Sequence, residues 1–156
     1  PILERIKRLG VVDSSATGFM HELGDAYIAN RGAAAMRHMW PHRTLIDACI
    51  PAPGHSDAAV CSANPWTAIG AMVTRKTRSG ALLGASEAVT PMEALRAYTT
   101  LGAWSGFEEH DKGSLEVGKL ADIAVLDRDP VAISAHELGA VRARQTFVGG
   151  VEVHRA

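Results

Sequence analysis

The 156-residue chain is 47% hydrophobic and 21% charged, with a formal net charge of −1. That balance fits one ordinary domain with a core and gives no electrostatic case for binding nucleic acid or an anionic membrane. No apolar run reaches the roughly 18 residues a membrane helix needs, and two cysteines, Cys49 and Cys61, make no disulfide framework, so a reducing cytoplasm is the expected setting.

The first predicted element is a helix over residues 2–9, with Ile2, Leu3, Ile6 and Leu9 on one side. No capping residue precedes it, and the chain starts at Pro1, which leads us to expect a piece of a longer protein. "VVDSS" after Gly10 is expected to be a short strand. "TLIDACIPAP" reads as a helical turn running into a second short strand, Ile50–Pro53, confined to an end or edge by its prolines. Asn64-Pro65 caps and starts a helix, "PWTAIGAMVTRKTR", with Ile69, Met72 and Val73 at helical spacing and a cationic last turn closed by Gly80. "TPMEALRAYTTLGAW" gives the next helix. Thr90 and Glu93 form a capping box, Pro91 takes the first helical position, and Leu95, Tyr98 and Leu101 form the expected buried stripe. Past Gly113, "ADIAVLD" is a strand, "SAHELGA" a capped helical turn, and "QTFVGGVEV" a hairpin closed by Gly149-Gly150. This order predicts α/β units followed by a small β layer.

Several residues could carry chemistry. Asp57 in "PAPGHSDAAV" follows the predicted strand Ile50–Pro53, and in a parallel barrel that place lies on the catalytic face. It is equally the kind of Asp that satisfies backbone amides in a turn. His55, two residues away, would share a face with Asp57 if the segment were extended, but two donors fall short of the three a catalytic zinc takes from protein. His38 and His42 are four apart, yet Pro41 between them disfavours a continuous helix, and no Glu follows His38. "GSLEVGKL" approaches a phosphate loop, but Leu120 replaces the hydroxyl and no buried strand precedes it. Gly113 and Gly118 therefore read as turn residues. Both cysteines are expected to be buried apolar residues.

The C-terminal half carries a more specific pattern. "VTPMEALRAYTTLGAWSGFEEHDKGSLEVGKLADIAVLDRDP" followed by "RQTFVGGVEVHRA" resembles the end of the metal-dependent amidohydrolases, in the branch called amidohydrolase family 3. There a TPxEAL helix, a KGSLExGKxADxxVLD loop and a hairpin occur in the same order. Upstream, "LGVVDSS" resembles the seventh barrel strand and "PHRTLIDACIPAPGHSDAAV" the approach to the eighth.

The resemblance implies the C-terminal portion of a TIM-like (β/α)8 barrel over residues 1–112, followed over residues 113–156 by strands of a small β-sandwich domain. It implies a parent enzyme that hydrolyses non-peptide C–N bonds of a small amide or imide-like molecule, using water activated by a divalent metal, with zinc expected. Asp57 would be the ligand and proton shuttle at the end of the eighth strand. His55 stands where the family often has glycine, and could crowd the metal or ligate it. No H-x-H pair is present, so the isolated chain is expected to be inactive and to bind no metal. Arg43, Trp66 and Arg75 could line the active face, or serve at helix ends or the surface. A barrel segment also exposes strand edges and apolar surface, which predicts a homodimer or higher oligomer. The competing expectation is a non-catalytic remnant that self-associates or binds a partner chain.

Overall fold

The computed structural model describes residues 1–156, a mixture of short helices and one small antiparallel sheet. The helices are α1 (Ile2–Leu9), α2 (Gly18–Arg31), α3 (Ala33–Met36), α4 (His42–Asp47), α5 (Pro65–Thr74), α6 (Pro91–Ala97) and α7 (Thr100–Ser105). The strands are β1 (Ile123–Leu126), β2 (Ala143–Val148) and β3 (Val151–Arg155), ordered β1-β2-β3.

Caps explain where the expected helices start. The Asn64 side chain accepts the Trp66 amide at the head of α5, and Thr90 and Glu93 complete the reciprocal box at the head of α6. The helix expected to run through residues 90–104 breaks at Tyr98 and Thr99 and resumes as α7. Its buried face is also smaller than expected: Ala94, Ala97 and Ala103 are buried, while Leu95, Tyr98 and Leu101 are half-buried. Small residues here let the helix sit close to its neighbours.

Helix α5 ends at Thr74, short of the expected cationic turn. Arg75 takes a left-handed conformation at φ 55° and folds inward. Its fully buried guanidinium donates to the carbonyls of Leu83 (3.1 Å), Trp40 (3.0 Å) and Met39 (2.8 Å). Helix α2, the longest, was not expected at all. Its face is marked by Met20 and the glycines Gly18 and Gly24, not by a row of large apolar residues.

One core cluster joins α5, α6 and the turn over Ala135–Ala140 through Trp66, Ile69, Met72, Val89, Leu138 and Val141. A second joins Met20, Met36, Trp40, Ala71 and Leu83. The hairpin forms where the sequence promised it: Val148 pairs with Val151 across Gly149 and Gly150, both at positive φ, with a register shift between Thr146 and Phe147. Much apolar surface stays outside, including Phe107, Leu115, Val117, Val151 and Val153.

Candidate active site

The segments expected as strands, "VVDSS" and Ile50–Pro53, form no regular strand; only an isolated parallel bridge joins Ser15 and Gly54. Three backbone bonds nevertheless follow parallel-ladder spacing. The Asp13 amide donates to Pro51 (3.3 Å), the Ser15 amide to Pro53 (3.1 Å), and the His55 amide to Ser15 (3.3 Å). The next bond in the pattern would come from residue 53 to the Asp13 carbonyl. Proline has no N–H to give, so the ladder stops short of a strand.

Helix α6 holds this ladder from the side. At its start, the Glu93 carboxylate accepts from Arg43 Nη2 at 2.8 Å and Nη1 at 3.1 Å, and Arg43 lies on α4, just ahead of the ladder segment. The Arg43 bond, followed by the Thr90 cap, holds the Glu93 carboxyl down at about 2 against the opposing effect of burial. At the other end of α6 the Gly54 amide donates to Ala97 (3.1 Å), and the Tyr98 hydroxyl donates to the His55 carbonyl (3.3 Å). The Tyr98 ring lies against Gly54: a Cβ there would stand 2.5 Å from ring carbon Cε2. Burial pushes the Tyr98 phenol up to about 12.

Asp57 lies beyond this anchorage, in a turn closed by the Val60 amide on its carbonyl at 2.7 Å. Its φ is 51°, so the extended backbone that would set His55 and Asp57 on one face ends before Asp57. The Asp57 carboxylate is exposed and makes no hydrogen bond or ion pair. The His55 ring turns toward the first ladder segment, where Nε2 donates to the Ser14 carbonyl at 3.1 Å. Only Nδ1 remains as a donor toward a cation. Nearby, the buried Cys61 thiol is pushed up by burial first and then by the charges of Glu22 and Asp57. No group of three or more His, Cys, Asp or Glu is placed to hold a metal ion.

The other expected lining residues lie elsewhere. Arg43 is engaged by Glu93, Trp66 is in the core, and Arg75 is sealed among carbonyls. The two cysteines differ: Cys61 is buried as expected, while Cys49 is exposed at φ 55° in the turn after α4. A groove of about 770 Å³ does open between α5, α6, α7 and β1, but neither His55 nor Asp57 lines it.

Two contacts beside the site carried no sequence signal. Tyr98 on Gly54 joins residues far apart in the chain. His42 is buried and paired through Nε2 with Thr17 Oγ1 at 2.6 Å, with Nδ1 unpartnered. Burial, then Arg75, pulls His42 down to about 4, against smaller upward effects of Asp13 and Glu87. His38, by contrast, is exposed, and the left-handed Trp40 separates the two histidines.

Several known proteins are similar to this chain. An N-substituted formamide deformylase from Arthrobacter pascens is 33% identical over 94% of this chain. The chain spans 30% of that relative's length. A metal-dependent hydrolase from Pyrococcus horikoshii superposes with a TM-score of 0.73 at 28% identity, covering 86% of this chain and 28% of its own. One from Pyrococcus furiosus gives 0.68 at 33% identity, covering 83% and 26%. The model of the amidohydrolase family matches residues 2–154, and with both flanks of the Asp57 turn inside that match, the chain belongs to the amidohydrolase family.

Proposed function

We propose that residues 1–112 are the last βα units of a (β/α)8 hydrolase barrel, that residues 113–156 are strands of its small β-sandwich domain, and that Asp57 is the metal-binding, proton-carrying residue of the enzyme they belong to. The observation that carries this reading is an exposed, unpaired carboxylate just past the end of a short parallel ladder. In a barrel this is the end of the strands where catalytic groups collect. A divalent cation bound there, zinc by the usual preference of mixed N and O donors, supplies Lewis acidity and lowers the pKa of water toward ~7.

The chain's own residues do the rest. Asp57 accepts the proton of the attacking water and passes it to the leaving nitrogen. Nothing nearby neutralises its carboxylate, so it is free both to ligate and to take a proton. His55 can offer Nδ1 as a further donor while Nε2 stays on Ser14. Further ligands come from residues outside these 156. The substrate is a small amide or imide-like molecule with a non-peptide C–N bond, a class that includes the N-substituted formamides in the name of the Arthrobacter pascens relative. Two free thiols fit a reducing cytoplasm.

The test is Asp57→Asn in the metal-loaded protein expressed from its full reading frame, assayed on an N-substituted formamide and related small amides. Loss of a proton-transferring residue lowers kcat by about 10²–10⁴-fold. Wild-type turnover by Asp57→Asn would sink the assignment.

A second reading applies to these residues alone. The exposed Leu115, Val117, Val151 and Val153 favour self-association of a non-catalytic chain. Sedimentation at rising concentration is expected to show a dimer or larger species. A folded monomer at every concentration refutes it.

A further inference from the structure

Resting on the reading of Asp57 as a metal ligand, we infer that Tyr98 is a positioning residue that holds the Asp57 turn in place through Gly54 and His55. The ladder alone cannot do this. Pro53 removes one of its bonds, and the only main-chain bond given by an amide from Ser56 to Ala63 is that of Val60 to Asp57, within the turn itself. The last fixed points before Asp57 are therefore the polar groups of Gly54 and His55. Four of these groups are taken up: the Gly54 amide by Ala97, the His55 amide by Ser15, the His55 carbonyl by Tyr98, and Nε2 of the His55 ring by Ser14.

Of the side chains that hold this segment, Tyr98 touches both residues. Its ring leaves no room for a side chain at position 54, and its hydroxyl closes on the next carbonyl. Tyr98 also sits at the end of α6, whose other end is clamped to α4 by Arg43 and Glu93. One rigid element thus fixes both ends of the chain from Arg43 to His55. A metal ligand two residues past such an anchor inherits its direction from it. Groups that orient ligands from behind change metal affinity by about 10–100-fold when removed.

Tyr98→Phe keeps the ring and deletes only the hydroxyl. The experiment substitutes Co²⁺ into the protein expressed from its full reading frame and follows its d–d absorption and affinity, together with the melting temperature. Tyr98→Phe is expected to weaken Co²⁺ binding about tenfold and shift the d–d band, with little change in melting temperature. Gly54→Ala, which forces the ring away, is expected to shift the same band further. Asp57→Asn serves as reference and should weaken binding most. If Asp57→Asn weakens binding while Tyr98→Phe matches wild type in affinity and spectrum, the positioning role is wrong and the ligand assignment stands. If Asp57→Asn itself changes neither, the ligand assignment fails and the inference falls with it.

Discussion

The three-stranded sheet and the segment that carries Asp57 are built on opposite terms. The sheet is antiparallel and local: β2 and β3 are joined by two glycines, and β1 pairs with β2 over the full length of β1. Every strand in it finds its pairing partner within residues 123–155. The Asp57 segment belongs to a parallel pair whose members lie some forty residues apart, as the Ser15–Gly54 bridge shows. Parallel pairs need crossovers and covering neighbours on both sides. Here side chains compensate: Arg75 on three carbonyls, Glu87 on the Thr44 amide and hydroxyl, Arg43 on Glu93, Tyr98 on His55. The half that carries Asp57 is held by side-chain polar groups, the sheet by its backbone ladder.

Breaking one of those polar groups should hurt far more than any change in the sheet. Arg75→Ala leaves the carbonyls of Met39, Trp40 and Leu83 buried without their donor. Charged hydrogen bonds contribute roughly 1.5–3 kcal/mol each and do not add fully, so a loss on the order of 3–5 kcal/mol is expected. Urea unfolding followed by tryptophan fluorescence would measure it. A midpoint close to wild type would show that the Arg75 cluster is not the keystone of this half.

The next effect depends on pH. His42 is fully buried beside Thr17, and its folded pKa of about 4 lies below the ordinary 6.5. The unfolded chain therefore binds the proton more tightly. Its contribution is fully present above pH 6.5 and drains away as pH falls toward 4. The whole shift corresponds to roughly 3–4 kcal/mol. Unfolding free energies measured from pH 7 to 4 should slope downward in the wild type, and the slope should flatten in His42→Gln. An unchanged slope would assign the acid sensitivity to another group.

This division also decides what could be read from the sequence. Caps are local chemistry, so Asn64-Pro65 and Thr90-Pro91 marked the starts of α5 and α6 correctly. The Gly149-Gly150 turn was legible for the same reason. Helix α2 was missed because it packs through small residues; Gly24 leaves room for Thr77 where a large side chain would have announced a buried face. Arg75 was misread because charge at a helix end ordinarily faces water, and only the carbonyls of distant residues turn it inward. The family pattern pointed to Asp57, but nothing in the local sequence pointed to the contacts that hold its turn. That Tyr98 meets Gly54 is a contact across more than forty positions, and no local rule encodes it.

The smallest predicted effect lies in the sheet. Gly149 and Gly150 sit at φ 56° and 81° in the two-residue turn. A Cβ at Gly149 meets nothing within 4 Å, so a substitution there is felt through the backbone alone. Gly149→Val should cost about 1–2 kcal/mol, the penalty for placing an ordinary residue in the left-handed region. Gly149→Asn should cost only a few tenths, because asparagine accepts this conformation and is favoured in such turns. Melting temperatures of the pair test the point. A large loss for Asn as well as Val would mean that the turn is read by something beyond its own backbone, such as a neighbouring surface packed against it. A small loss for Asn and a larger one for Val would show that position 149, unlike the Asp57 segment, is set by the right φ at its turn and by no long-range side-chain contact.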